Sequence, residues 1–422
     1  MTVTHSPISK VIDAHAAFAM VELSIHTNTL HTKRSEALRD IYTEMLLSGC
    51  GTYDRHAFLD ILGNLGSSIA IFDEGNAIRV QLRARNEMLE KTLKLLVCIF
   101  EKPHFKAQEL KRIQKRYVEE LKLAKENASA RARQNFTNAF LDVTDYRYTY
   151  DLDIMREEAK KVSRKEIVSL HDTVMHHSAA YGAIGGTKKD CARIEKTLTH
   201  LFPLISKATS GVALPVLSGA TRTVTLLDIP HKQNIEFSLG GALPLLSTDT
   251  DFTALSFGLC VLGIQGGFSG RLMSIVREKE GLTYGIYANT EGVTALTQGF
   301  WRIGTFFAPK DAVQGVTSTL REIERIRTKG ITEDELVRFK RILETRFALI
   351  DDSLMKRVRE QHKIAATGIT QEEFDAFEKD IAHMTRVRVN AALKKYLDSS
   401  RMVISGAGPI RTVKEQLKKF AQ

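Results

Sequence analysis

Residues 266–287 read Gly-Gly-Phe-Ser-Gly-Arg-Leu-Met-Ser-Ile-Val-Arg-Glu-Lys-Glu-Gly-Leu-Thr-Tyr-Gly-Ile-Tyr. The glycines at 266, 267 and 270 close one helix and let backbones approach each other. The charged run 271–280 has helical character and stops at Gly281, and a strand is expected over 283–288. That order puts Arg277 in a last helical turn and Tyr284 on the following strand. A guanidinium and a phenol brought together in this way donate hydrogen bonds to a carbonyl oxygen that gains negative charge. Spacing alone favours a plainer arrangement, with Arg277 capping its own helix and Tyr284 packed in a core.

The flanking pattern supplies the architecture. Before this stretch, 223–228 and 233–239 read as strands and 252–264 as a helix. After it come a strand over 299–305, a helix opened by Pro309 and running to 327, and a helix over 333–348. The first half follows the same plan. A strand over 18–27 leads to a helix over 33–48, whose Ala37, Leu38, Ile41, Met45 and Leu46 share a face and which Gly49 and Gly51 stop. A short helix over 56–62 ends in Gly63 and Gly66. Strands over 67–72 and 77–84 flank the turn Asp73-Glu74-Gly75-Asn76. Helices over 88–100 and 106–130 are separated by Pro103. Glu109-Leu110 corresponds to Glu335-Leu336, and Gly66 to Gly281. The reading is an α+β protein of two homologous domains, each an antiparallel sheet packed with helices. Their expected bounds are 1–206 and 222–422, joined by the Ser-, Thr-, Gly- and Pro-rich segment 206–221.

Composition narrows the function. The chain has 422 residues, 43% of them hydrophobic and 26% charged, which excludes wholesale disorder. Cys50, Cys98, Cys191 and Cys260 are far apart in sequence, so neither a disulfide framework nor a thiolate zinc cage is expected, and a reducing compartment fits. No apolar run is long enough to span a membrane, and residues 1–17 lack the pattern of a secretory signal or transit peptide. The net charge of +10 comes from 60 Lys and Arg against 50 Asp and Glu, interleaved along the chain. In the densest basic stretch, 111–133, Glu119, Glu120 and Glu126 stand between the cations, so a solvated surface is expected rather than nucleic-acid binding.

Gly266, Gly267, Arg271, Leu272, Arg277, Glu278, Gly281, Leu282 and Tyr284 resemble the C-terminal-half motif of the pitrilysin/insulinase metallopeptidases, in the two-domain branch that includes the mitochondrial processing peptidase. Gly270 departs from the serine of that motif. The resemblance implies two homologous α+β domains that pair as dimers into a closed chamber. It also implies that Arg277 and Tyr284 hold substrate beside a metal.

Catalytic relatives carry H-x-x-E-H on the first long helix and a further Glu about 76 residues on, the two imidazoles sharing a helix face for zinc and the Glu activating water. The corresponding positions here are Asp40 and Glu44 for the imidazoles, Thr43 for the base, and Glu120, in Tyr117-Val118-Glu119-Glu120-Leu121, for the distal ligand. A threonine hydroxyl is no general base near neutral pH. Three carboxylates suit hard ions such as Mg²⁺ or Ca²⁺ better than zinc. The expected arrangement is plainer, with Asp40 and Glu44 as solvated or salt-bridged helix surface and Glu120 facing a Lys or Arg. Adjacent His176 and His177 point to different helix faces and make a poor chelate. The strand 67–72 corresponds to the family's substrate-binding edge strand, with Ile69 where relatives have Asn.

The resemblance thus implies a non-zinc, alpha-type subunit with no catalytic residue or metal of its own. A homologous partner would supply H-x-x-E-H and zinc, and unfolded peptides would be the substrates. The other reading is an inactive scaffold or peptide-binding homologue, like the core subunits of the respiratory cytochrome complex. Neither nucleic acid nor a membrane-spanning segment is expected, and the expected location is cytoplasmic, with the periplasm and the mitochondrial matrix as the alternatives.

Overall fold

A computed structural model describes residues 8–27, 29–203, 217, 221–264, 267, 269–349 and 353–421. The first half runs β1 (Ile8–Ile12), β2 (Phe18–His26), α1 (Lys33–Leu46), β3 (Gly49–Cys50), β4 (Tyr53–Asp54), α2 (Arg55–Asn64), β5 (Ser68–Asp73), β6 (Ala77–Arg85), α3 (Leu89–Glu101), α4 (Ala107–Ala124), α5 (Ala128–Asn138), α6 (Leu152–Lys161), α7 (Arg164–His176), β7 (Ala180–Gly186) and α8 (Lys188–Leu201). The second half runs β8 (Thr223–Asp228), β9 (Ile235–Leu243), α9 (Thr250–Gly263), a wide-wound helix (Met273–Lys279), β10 (Ile286–Glu291), β11 (Gly299–Phe307), α10 (Ala312–Lys329), α11 (Glu333–Ala348), α12 (Leu354–Thr367), α13 (Gln371–Ala382), α14 (Arg386–Tyr396), β12 (Val403–Gly408) and α15 (Lys414–Lys418). Of the expected linker 206–221, only Leu217 and Thr221 fall among the described residues.

The strand orders show a duplication. One five-stranded sheet is ordered β1-β7-β2-β6-β5 and the other, read from its opposite edge, β8-β12-β9-β11-β10. In each, the first pair is parallel (β1 with β7, β8 with β12) and the next is antiparallel (β7 with β2, β12 with β9). Both sheets are therefore mixed rather than wholly antiparallel, because the strand that opens each repeat pairs in parallel with the one that closes it. Gly66 and Gly281, matched by sequence, take left-handed φ values of 58° and 66° just past corresponding helices.

Local chemistry sets the helix bounds. Thr32 and Ser35 form a reciprocal cap on α1, with Ser35 N donating to Thr32 Oγ1 at 3.1 Å and Thr32 N to Ser35 Oγ at 2.9 Å. α3 buries Leu89, Leu93, Leu95, Leu96, Ile99 and Phe100, each contributing about 1.5–3 kcal/mol. The helix expected over 106–130 is instead two. Asn127 accepts from Ala130 N at 3.0 Å and starts α5 afresh.

That break matters because the chain divides into two compact units, each drawing on both halves. One comprises Met1–Leu123, Tyr150–Val212 and Ala348–Thr370, and the other comprises Ala124–Thr149, Ala213–Phe347 and Gln371–Gln422. In the second unit, α5 from the first half packs on β9 and β12, its Phe136 lying against Phe140, Phe300 and Val403. In the first unit, α12 from the second half covers β1, β2 and β7, where Val358 meets Met20 and Ala183. The approach is close, since a Cβ on Gly185 of β7 would stand 2.3 Å from Val358 Cγ2.

Candidate functional site

In the second unit the helix over Met273–Lys279 is wound more widely than an α-helix, and Glu280 N reaches back five residues to Ile275 O at 2.9 Å. Such local widening recurs at functional positions. Arg271 anchors the start of this segment through two 2.7 Å bonds to Glu335 and one of 2.8 Å to Gly330 O. Arg277 lies in the last turn, as read. Its Cζ stands 5.0 Å from the centroid of the Tyr284 ring, a cation–π contact. Tyr284 is 75% exposed, so its phenol is presented to solvent with the guanidinium alongside. The core position that spacing favoured for this tyrosine is therefore not the one it takes.

Tyr284 also does not lie on a strand, because β10 begins at Ile286. Thr283 Oγ1 accepts from Gly285 N at 3.2 Å, and Thr305 Oγ1 donates to Gly285 O at 3.1 Å. This side-chain-closed turn replaces the first rungs of the ladder. Gly266 and Phe268 of the motif lie outside the described residues.

In the first unit α1 carries Asp40, Thr43 and Glu44, and α4 carries Tyr117 and Glu120. Thr43 Oγ1 donates to its own helix, to Asp40 O at 2.8 Å. The Asp40 carboxylate accepts from the Tyr117 hydroxyl. Burial first, and then Asp73, push the Asp40 carboxyl up to about 6, while the bond from Tyr117 works the other way. Glu44 forms an ion pair with Arg116, whose Nε lies 3.4 Å from Glu120 Oε1. A single guanidinium thus serves both carboxylates. These residues do not fit zinc. No imidazole is present, the hydroxyl at the base position is spent on a backbone carbonyl, and each carboxylate already has a donor or a cation. Among the described residues, no cluster of three or more His, Cys, Asp or Glu is arranged to hold a metal ion. His176 is on the surface, its Nδ1 3.1 Å from Asp172.

The same face of α1 carries a charge cluster that the sequence reading missed. Arg39 is fully buried and pairs with Asp73 at 3.0 Å. Glu36, one turn before Asp40, is pushed up to about 8 by burial and then by the Asp40 charge. Its Oε2 is buried without a hydrogen-bond partner, and His31 Nε2 stands 3.8 Å away. The signal available in sequence was the Glu36/Asp40 spacing of one helical turn. β5 is an edge strand, as read, and Ile69 turns into the core at 6% exposure.

Residues 227–343 match the family model described as the peptidase M16 inactive domain. The resemblance to the M16 metallopeptidases therefore holds. No curated protein matches the chain by sequence. Among solved structures, the chain is similar to a peptidase M16 inactive domain from Pseudomonas fluorescens, with a TM-score of 0.78, 20% identity and 95% of each chain covered. It is also similar to a protease from Helicobacter pylori, with a TM-score of 0.72, 12% identity, and 95% of this chain and 97% of that one covered. The periplasmic protease PqqL from Escherichia coli matches with a TM-score of 0.69 and 14% identity over 94% of this chain and 44% of its own. At these identities the likeness establishes the M16 fold. Among the described residues no helix is long and apolar enough to cross a membrane.

Proposed function

We propose that this chain is the non-zinc subunit of a heterodimeric zinc peptidase, lending Arg277 and Tyr284 to a site whose metal is held by a homologous partner. The observation that carries the reading is an asymmetry. Tyr284 is exposed to solvent with the Arg277 guanidinium over its ring, while the positions that hold metal in catalytic relatives carry no imidazole and are tied into hydrogen bonds and ion pairs. The match to an inactive M16 domain supports a non-catalytic chain. In this reading residues 1–206 and 222–422 act as the two homologous domains. Unfolded peptides are the substrates and the cytoplasm is the setting.

The partner's zinc would polarise the scissile carbonyl and activate water. This chain's part is to hold the peptide. The Tyr284 hydroxyl and the Arg277 N–H groups donate to a carbonyl oxygen that gains charge in the transition state, where one such donor is worth about 10²–10³ in kcat. The test is reconstitution with a zinc-bearing homologue of similar length. The mixture is expected to cleave an unfolded peptide that neither chain cleaves alone. A mixture as inactive as its parts rejects the reading.

The match to an inactive domain also supports a second reading, an architectural or peptide-binding homologue. Co-purification with membrane subunits and no zinc-bearing chain would favour it.

A further inference from the structure

The four cysteines are free, and the fold brings two of them together. Cys50 is on β3, immediately after the α1 turn, and Cys98 is in the last turn of α3, 48 residues on. The Cys98 sulfur lies against Gly51, the residue next to Cys50. Backbone bonds clamp this arrangement from both flanks. Gly51 N donates to Lys102 O at 2.9 Å, His104 N to Gly49 O at 3.1 Å, and Lys102 N to Cys98 O at 3.0 Å. His104 Nε2 lies 2.7 Å from Gly51 O, and Cys50 itself bridges to Pro103. Gly51 leaves the space that the second sulfur uses, since a Cβ there would stand 2.8 Å from Cys98 Sγ. Cys50 is wholly buried and Cys98 half-buried, so an oxidant meets Cys98 first.

We infer that Cys50 and Cys98 form a thiol pair that closes to an intramolecular disulfide when a hydroperoxide oxidises Cys98. This goes beyond the proposed function and does not rest on it. In the first step the Cys98 thiol gives up its proton and its sulfur attacks one oxygen of hydrogen peroxide. The O–O bond breaks, Cys98 becomes a sulfenic acid, and the other oxygen leaves as hydroxide, which takes up the thiol proton to become water. In the second, the Cys50 sulfur attacks the Cys98 sulfur. The S–O bond breaks, the S–S bond forms, and the hydroxyl leaves as water with the proton from Cys50. Two thiols are oxidised by two electrons and one peroxide is reduced. Burial raises the Cys50 thiol well above its ordinary range, so Cys50 is the poorer first nucleophile and gives up its proton only as the hydroxyl leaves Cys98. The closed form ties the β3–β4 turn, which follows the degenerate-motif helix, to the end of α3.

The test uses the full, reduced chain treated with stoichiometric hydrogen peroxide. Intact mass and a non-reducing peptide map are read after alkylation. The expected product is lighter by two hydrogen atoms before alkylation. Its Cys50 and Cys98 peptides are joined, and Cys191 and Cys260 are alkylated. Its melting temperature is higher by roughly 5–10 °C, as closure of a loop of this length implies. Cys50→Ser and Cys98→Ser should each abolish the linked peptide. If either variant fails to fold, the map of the unaltered chain decides alone. Cys98 recovered as a sulfinic acid, or both cysteines recovered as alkylated thiols, would overturn the inference.

Discussion

Replacing Glu36 by Gln should change how stability depends on pH. Glu36 lies in the first turn of α1, facing Arg39, Asp40, Asp73 and His31. Its folded-state value of about 8 lies above its ordinary 4.5, chiefly through burial. The folded chain therefore holds a proton that the unfolded chain gives up between those values. Stability from the protonated acid is complete below pH 4.5 and is lost as pH rises towards 8. Each pH unit in that window removes ~1.4 kcal/mol, so roughly 3–4 kcal/mol disappears between about pH 5 and about pH 8. Gln is shaped like the protonated acid and does not titrate. The variant should match the wild type near pH 5 and exceed it near pH 8. At about 2–4 °C per kcal/mol for a unit of this size, the melting temperatures should separate by roughly 10 °C. The assay is thermal unfolding of both chains across that range in one buffer series. A difference that stays constant with pH would refute the burial of an uncompensated acid at this position.

Other outcomes follow from the packing and the charges. Arg39→Ala leaves the Asp73 carboxyl buried without its cation and should cost about 3–5 kcal/mol in denaturant titration; a change below ~1 kcal/mol would contradict the pairing. Gly185→Ala drives a methyl against Val358 on α12 and should cost about 1–3 kcal/mol, with faster amide exchange confined to 354–367 if the helix lifts. A chelator such as EDTA should leave the melting temperature of the isolated chain unchanged, because Asp40, Glu44 and Glu120 are already engaged; a drop would mean that the chain holds a structural ion.

Much of the fold was legible because it is written in short-range pattern. The apolar face of α1, the β5–β6 hairpin around Asp73-Glu74-Gly75-Asn76 and the two left-handed glycines at 66 and 281 all announce themselves locally. The parallel pairs of the duplicated sheets were not legible, because β1, β7 and β12 were not read as strands and their pairing joins distant parts of the chain. The α4–α5 break was hidden because the basic run 111–133 is helix-forming almost throughout, and a lone Asn127 carries the stop signal. The destinations of α5 and α12 depend on which sheet face needs covering, which local pattern does not encode.

At the site, the sequence reading placed Arg277 and expected Glu120 to face a cation, and Arg116 is that cation. It put Tyr284 on a strand because Thr283 and Ile286 look β-forming. The turn closed by the Thr283 hydroxyl depends on one hydrogen bond. Asp73 was read as turn chemistry. It does accept from Gly75 N at 3.1 Å, but its buried partner Arg39 lies 34 residues earlier. The Cys50–Cys98 pairing is equally non-local.

The most direct measurement is steady-state peptide cleavage by the reconstituted pair, comparing wild type with Arg277→Ala and Tyr284→Phe in this chain alone. The account predicts that kcat falls about 10²-fold or more with each, while both variants bind the partner and its zinc content stays the same. Full activity in both variants would contradict it.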